Sequence, residues 1–229
     1  MELLEALRGT AAIREFTRAP VSDEALYRVL DSARFAPSGG NQQGWRVVVV
    51  KDPGLRRELR DLYAGAWRDY VAIGQAGLRA WSPTADRAAE AAAIAAGPSG
   101  DPAGEFVRHL DEVPAMLVVL GDLDVLAAVD RDHDRYTFAG GGSLYPFVWS
   151  LLLAAREEGL GGVMTTMHVR EEEAVRSLLG VPENFAIVST VLLGYPARRP
   201  TRLKRTKVED FAWIDSFGGP PLTPEVTGP

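Results

Sequence analysis

The run "WRVVVVKD", Trp45 to Asp52, is β-branched and apolar with no alternation of polar positions. A strand of that kind needs apolar cover on both faces, so it commits the chain to a layered fold. "PAMLVVLGD" supplies a second buried strand from about Ala115 to Leu120, "GGVMTTM" a third and "FAIVSTVLLGY" a fourth. The covering helices are legible too. "VSDEALYRVLDSARFA" opens on Ser22 as N-cap, places Asp23 and Glu24 in the first turn, and repeats apolar residues at Leu26, Val29, Leu30 and Ala33. "DPGLRRELRDLYAGAW" follows the first strand with Asp52 as cap and Pro53 in the first helical position. Glu2 to Arg8 reads as a short helix with Leu3, Leu4 and Leu7 on one side, and "REEEAVRSLLG" as a helix ended by Gly180. Ser143 to Glu158 is apolar nearly all round and reads as a central helix buried on most sides. Helices and strands alternate, though not as regular βαβ units.

With 229 residues, 46% of them hydrophobic, the chain can bury the core of one large domain or of two small ones. Ala80 to Leu110 interrupts the order: it is alanine-rich and then turns through "GPSGDPAG". It reads either as a helical excursion over a site or as an unordered surface insertion. After Phe217 the apolar pattern stops, so 219–229 reads as a disordered tail on a single domain spanning 1–218. "MELLEALRGT" is charged through its apolar stretch, unlike a signal peptide, and no uncharged apolar run reaches the roughly 18 residues of a membrane span. The absence of cysteine excludes disulfides, thiolate catalysis and iron–sulfur ligation, and it suits a cytoplasmic protein. A net charge of −6 argues against nucleic-acid binding. One basic run stands out: Arg198, Arg199, Arg202, Lys204, Arg205 and Lys207, with no acid among them. It is either a site for one anion or a solvated cationic arm.

Several apparent motifs fail the chemistry they would serve. "GLGGVM" follows a helix and enters a strand, the reverse of a dinucleotide-binding loop. "GGGSLYP" has Tyr145 where a nucleophile elbow needs glycine. "DRDHDR" leads to Arg135 and Gly141 where a calcium loop needs glycine and glutamate, and it reads as a solvated turn. His109, His133 and His168 lack metal-ligand spacing. What remains is "APSGGNQQGW", Ala36 to Trp45, which sets three carboxamides and three glycines, uncharged, directly before a core strand. Asn and Gln offer donors and an acceptor together, so they can read the alternating N and O edge of a flavin without adding charge. Glycine lets backbone approach a flat ring. Arg14 and the late basic run could hold a phosphate. Such a set suits a cofactor that brings its own chemistry, with the protein supplying placement.

In chain order, "IREF", "PVSDEALYRVLDSARFAPSGGNQQGWRVVVVKD", "GGGSLYPFVWSLLLAAREEGLGGVMTT", "LGVPENFAIVSTVLLGYP" and "KRTKVED" with "WIDSFG" resemble the FMN-dependent nitroreductase family, from about Leu4 to Gly218. The resemblance implies an α+β fold, with a mixed central sheet flanked by helices, in an interlocked homodimer that holds FMN between subunits. It implies that Pro37, Ser38, Gly39 and Asn41 contact the isoalloxazine and ribityl across the subunit boundary, with Ser143 near the ring. Met164, Thr165 and Thr166 would lie along the ring, a backbone N–H near Thr166 facing flavin N5. Arg14, Lys204 and Arg205 match phosphate-binding positions. The implied chemistry is ping-pong: NAD(P)H, as NADH or NADPH, delivers hydride, and a nitroaromatic, quinone or activated alkene takes the electrons. No side chain need act as acid or base, and Trp67, Tyr70, Trp81 and Phe106 either choose the substrate or are ordinary core packing; Trp45 reads as core. Two departures are visible. Thr10-Ala11-Ala12 stands where the family usually has a cationic, hydroxyl-bearing cluster on the phosphate, and Gln43-Gly44-Trp45 replaces Gln-Pro-Trp. The same residues also suit a protein that sequesters flavin, or one adapted to another cofactor such as a deazaflavin.

Overall fold

The structure is a computed structural model that describes residues 2–200 and 203–224. The chain divides into two compact units, Met1–Arg199 and Pro200–Pro229. In the first unit β1 (Trp45–Val50), β2 (Ala115–Asp122), β3 (Gly161–Thr165) and β4 (Phe185–Gly194) form a four-stranded sheet in the order β1-β2-β4-β3. Every neighbouring pair is antiparallel. Parallel pairing enters at an isolated bridge between Ala12 and Gly162, where the Ile13 N–H donates to the Gly162 carbonyl at 2.9 Å. From there the chain follows the sheet to the exit of β4, with Phe16 bridging Pro196.

Seven helices are described: α1 (Leu3–Gly9), α2 (Asp23–Ala33), α3 (Pro53–Gln75), α4 (Arg87–Ala96), α5 (Gly104–Arg108), α6 (Tyr145–Glu157) and α7 (Glu172–Leu179). α2 and α3 start where their caps require. The Ser22 hydroxyl accepts from the Ala25 N–H at 3.2 Å, and the Asp52 carboxylate from the Leu55 N–H at 2.8 Å. Gly180 closes α7 with φ of 65°, the left-handed conformation that glycine adopts without a Cβ penalty. Beyond Trp67, α3 runs on without a break to Gln75.

Alternate residues of β2 serve two cores. Ala115, Leu117 and Val119 pack with Leu26, Val29, Phe147 and Leu151 of α2 and α6. Met116, Val118 and Leu120 pack with Leu59, Tyr63, Val107 and Val175 of α3, α5 and α7. The unbroken apolar pattern is thus satisfied by helices on both faces. For β1 the expectation of full burial does not hold: it has one neighbouring strand, and Val47, Val48 and Val49 are only half-buried. The helix expected from Ser143 also differs. Ser143 lies in a 3-10 turn, Gly140–Ser143, and α6 leaves Tyr145 (44%) and Trp149 (41%) exposed. Its sheet-facing side alone, with Phe147, Val148, Leu151 and Ala155, is buried. Trp45 does sit in the core, stacked on Phe147 with ring centroids 4.8 Å apart.

His168 is fully buried between the α3 core and β4. Its Nε2 lies 2.9 Å from the Leu59 carbonyl and its Nδ1 2.6 Å from the Thr190 hydroxyl. Burial holds its pKa below the ordinary value, so the neutral ring donates to Leu59 and accepts from Thr190. The unfolded chain takes up this proton near pH 6.5, and the folded chain only at lower pH. The stabilisation is therefore complete above about pH 6.5 and is lost as pH falls. Exposed His109 acts with the opposite sign, because Glu112 raises its pKa. We expect Tm to drop between pH 7 and 5, and His168→Gln to flatten that drop. Parallel slopes in the two proteins would assign the effect to other groups.

In the second unit the Lys207 N–H donates to Asp210 at 3.2 Å, opening a 3-10 turn, Val208–Asp210. Trp213 bridges Pro221, and its ring lies 4.7 Å from that of Phe217. Arg202 of the basic run, and 225–229 of the expected tail, lie outside the described residues.

Candidate functional site

The carboxamide loop is wound tightly. The Asn41 N–H donates to the Ser38 carbonyl at 3.0 Å, and the Gln43 N–H to the Ser38 hydroxyl at 3.0 Å. Closing this turn puts Gly40, Asn41 and Gln43 in the left-handed region, at φ of 58°, 54° and 51°. Asn tolerates that conformation, but for Gln it costs on the order of 1–2 kcal/mol. Strain kept in an exposed polar loop points to a binding role rather than a plain connection. The Gly39 N–H donates to the Ser143 hydroxyl at 3.0 Å, which joins residues 104 apart in sequence into one patch.

Asp130 ties down the loop before Ser143. Its carboxylate accepts from the Phe138 N–H at 2.9 Å, the Ala139 N–H at 3.3 Å and Arg135 Nη1 at 2.9 Å. The Phe138 N–H foremost, with Arg135 and Ala139, lowers its pKa to about 2. "DRDHDR" is therefore not simply a solvated turn: Asp130 is buried and its neighbours are not.

A second group forms at the end of β3. Met164 is exposed, and the Thr165 hydroxyl lies 3.3 Å from the Tyr63 hydroxyl. Burial pushes the Tyr63 phenol up, while the Thr165 contact and the charge of Arg14 oppose it. Thr166 is exposed, and its N–H has no backbone acceptor among the described residues. Tyr63, Trp67 and Tyr70 recur at helical spacing on one face of α3. Their rings form a ladder, with centroids 6.2 Å apart from Tyr63 to Trp67 and 5.2 Å from Trp67 to Tyr70, that continues to Trp81 at 5.9 Å. Phe106 meets Tyr63 edge-on at 6.3 Å, and the Arg14 guanidinium lies 6.0 Å from the Phe106 centroid. Arg14, Phe16, Phe106 and His109 line a groove of about 480 Å³ beside this group.

Of the sequence-predicted residues, Arg14, Thr165, Trp67, Tyr70, Trp81 and Phe106 are connected in this second group, with Met164 and Thr166 flanking Thr165 on the chain. Pro37, Ser38, Gly39, Asn41 and Ser143 make up the first. Leu144, next to Ser143, belongs to the α2 and α6 core, whereas Tyr63 and Phe106 belong to the opposite core. The Gly39–Ser143 pair therefore adjoins one core, and Tyr63 with Phe106 belongs to the other. Tyr63 was missed from the sequence, although its spacing from Trp67 and Tyr70 was the signal. The Thr10 hydroxyl donates to the Ala6 carbonyl at 2.7 Å, so it caps α1. With Ala11 and Ala12 beside it, this segment offers an anion no free side-chain donor. Lys204 and Arg205 lie in the second unit, both exposed. Among the described residues no cluster of metal-ligating side chains occurs.

The nitroreductase family model matches residues 7–195. A Thermus thermophilus protein named NADH dehydrogenase is 30% identical over 213 residues, covering 81% of this chain and 82% of its own length. Among solved structures, nitroreductase A from Vibrio parahaemolyticus has a TM-score of 0.65 at 22% identity, over 93% of this chain and 76% of that one. The NADPH:FMN oxidoreductase from Vibrio harveyi, complexed with NAD+, has a TM-score of 0.60 at 22% identity, over 89% of this chain and 72% of that one.

Proposed function

The chain belongs to the nitroreductase family, and from that premise we propose that it is an FMN-dependent oxidoreductase that oxidises NAD(P)H and reduces a nitroaromatic, quinone or activated-alkene acceptor. The observation that carries this reading is the pairing of a strained, uncharged carboxamide loop with an open strand end backed by an aromatic wall. Bound FMN would supply the redox chemistry, taking hydride from the nicotinamide and passing the electrons to the acceptor.

The protein's own residues bind and orient. Asn41 and the Gly39–Ser143 pair offer neutral donors and acceptors to a heteroaromatic edge. The open Thr166 N–H suits a ring nitrogen on which negative charge develops, because a fixed dipole there needs no reorganisation. Trp67 and Tyr70 present a flat apolar wall on which an acceptor ring can stack while water is kept away. The Thr10 to Ala12 segment fits a phosphate poorly, so the candidates for the phosphate are Arg14 in the first unit and, separately, Lys204 and Arg205 in the second. A single ring touching both groups would be shared by two chains, since Leu144 beside the first group and Tyr63 of the second belong to opposite cores. Homodimerisation supplies the second, and Tyr145 and Trp149 on α6 are exposed apolar surface suited to it. No described helix is long and apolar enough to cross a membrane, and a cytoplasmic enzyme would meet its nicotinamide donor there.

The test is spectroscopic. Purified protein should be yellow, NADH or NADPH should bleach it anaerobically, and a nitroaromatic or quinone should restore the colour. Flavin that resists both nucleotides would mark a sequestering protein instead. A colourless protein that rejects added FMN would leave only a different cofactor, such as a deazaflavin.

A further inference from the structure

Backbone strain also occurs away from the carboxamide loop. Trp81 has φ of 53°, a conformation that a bulky side chain rarely adopts. It is held there by α4: the Trp81 N–H donates to Glu90 Oε1 at 2.6 Å, and Glu90 is only 8% exposed. The rest of α4 after Arg87 is alanine and isoleucine, an apolar setting in which a carboxylate is costly to bury without a partner. Asp86 fixes the start of α4 by accepting from the Ala88 and Ala89 N–H groups at 2.9 and 3.2 Å. The helix therefore delivers one buried acceptor to one strained backbone donor, and the result is the placement of one indole.

That indole has both a ring and a cation beside it. Tyr70, the end of the aromatic ladder, is 5.9 Å away, and the Arg170 guanidinium lies 4.7 Å from the Trp81 ring centroid. Arg170 is exposed and has no ion-pair partner among the described residues. The neighbouring Glu172 carboxylate is engaged elsewhere, accepting from the Ile187 N–H at 2.6 Å. A guanidinium lying over an aromatic face is weakly hydrated and already oriented, so an incoming carboxylate can take two parallel hydrogen bonds with little reorganisation. We propose that Trp81 and Arg170 form a specificity element for planar aromatic substrates that carry a carboxylate or similar anion, and that Glu90 is the residue that positions it. This rests on the reductase reading for the word substrate, but not for the binding itself.

The experiment compares 4-nitrobenzoate with the uncharged 4-nitrobenzamide on the FMN-loaded protein. Kd is read by quenching of tryptophan emission, and kcat and KM by reduction. The native protein should prefer the benzoate. Arg170→Met should cut that preference about tenfold through Kd and KM, with kcat for the benzoate retained, since one charge-assisted contact is lost. Glu90→Ala should abolish the preference and shift the tryptophan emission to the red. Glu90→Gln keeps an oxygen that can accept the Trp81 N–H and should restore both. No preference in the native protein, an unaltered preference in Arg170→Met, or Glu90→Gln as impaired as Glu90→Ala would each overturn the proposal. Should Glu90→Ala fail to fold, the other two variants still decide. Selective binding of the benzoate with no reduction of either compound would overturn the reductase reading alone.

Discussion

Replacing Gly162 by valine should lower stability by about 3 kcal/mol, which in a domain of this size moves Tm down by about 6–12 °C. A Cβ at this position would meet the Leu192 carbonyl oxygen at 2.7 Å, the Leu193 Cδ2 at 2.4 Å and the Leu152 Cδ2 at 3.1 Å. The leucine tips can turn aside, but the Leu192 oxygen is backbone of the neighbouring strand, so the β3–β4 pairing itself must open. Gly162 also bridges Ala12 and accepts from the Ile13 N–H, so the displacement reaches the segment that carries Arg14. Flavin content should fall together with stability. Gly65→Ala is the control: nothing lies within 4 Å of its added Cβ, the position is inside α3, and a gain of roughly 0.5–1 kcal/mol is expected. Thermal unfolding followed by circular dichroism reads both. A Gly162→Val protein that unfolds at the native temperature would show that the β3 edge yields freely and is not what sets the strand end in place.

Changing Lys204 and Arg205 together to alanine should weaken FMN at least about a hundredfold while riboflavin loses no more than a few-fold. Each charge-assisted contact to a phosphate is worth about 1.5–3 kcal/mol, and riboflavin has no phosphate to lose. The segment from Thr10 to Ala12 offers a phosphate no free side-chain donor in place of Lys204 and Arg205. Thr10 spends its hydroxyl on the Ala6 carbonyl, and Ala11 and Ala12 have no polar atoms to offer. Arg199, at the head of the same basic run, is committed as well, donating to the Gly159 and Leu160 carbonyls at 2.7 and 2.8 Å. Lys204 and Arg205 are exposed, with Arg205 Nη1 donating to the Lys204 carbonyl at 2.7 Å. Titration of the apoprotein with each flavin gives the two affinities. Equal losses for FMN and riboflavin would make the run a solvated arm.

Much of the fold was readable as sequence because the signals are local. The caps at Ser22 and Asp52, the left-handed stop at Gly180 and the apolar period of each helix depend on residues within a turn or two of one another. The same holds for "PAMLVVLGD", whose lack of alternation already required cover on both faces. The composition of the carboxamide loop is equally local, although its three left-handed residues are not legible from it.

The rest depended on which surfaces meet. Nothing in "WRVVVVKD" distinguishes a central strand from β1 at the sheet edge, because strand order is set by how the helices pack over the whole sheet. The apolar circumference of α6 could not show that Tyr145 and Trp149 would face outward. Asp130 looked like one more acid in a charged turn until its three donors enclosed it. Gly39 with Ser143, Thr165 with Tyr63 and Glu90 with Trp81 are pairs joined by a single hydrogen bond each, the first two across long stretches of chain. The sequence by itself determined the elements, their caps and the family, since those rest on short-range periodicity and ordered motifs. Only the tertiary structure decided that the Gly39–Ser143 pair adjoins one core while Tyr63 and Phe106 belong to the other, because that follows from packing two helical layers against the same strands.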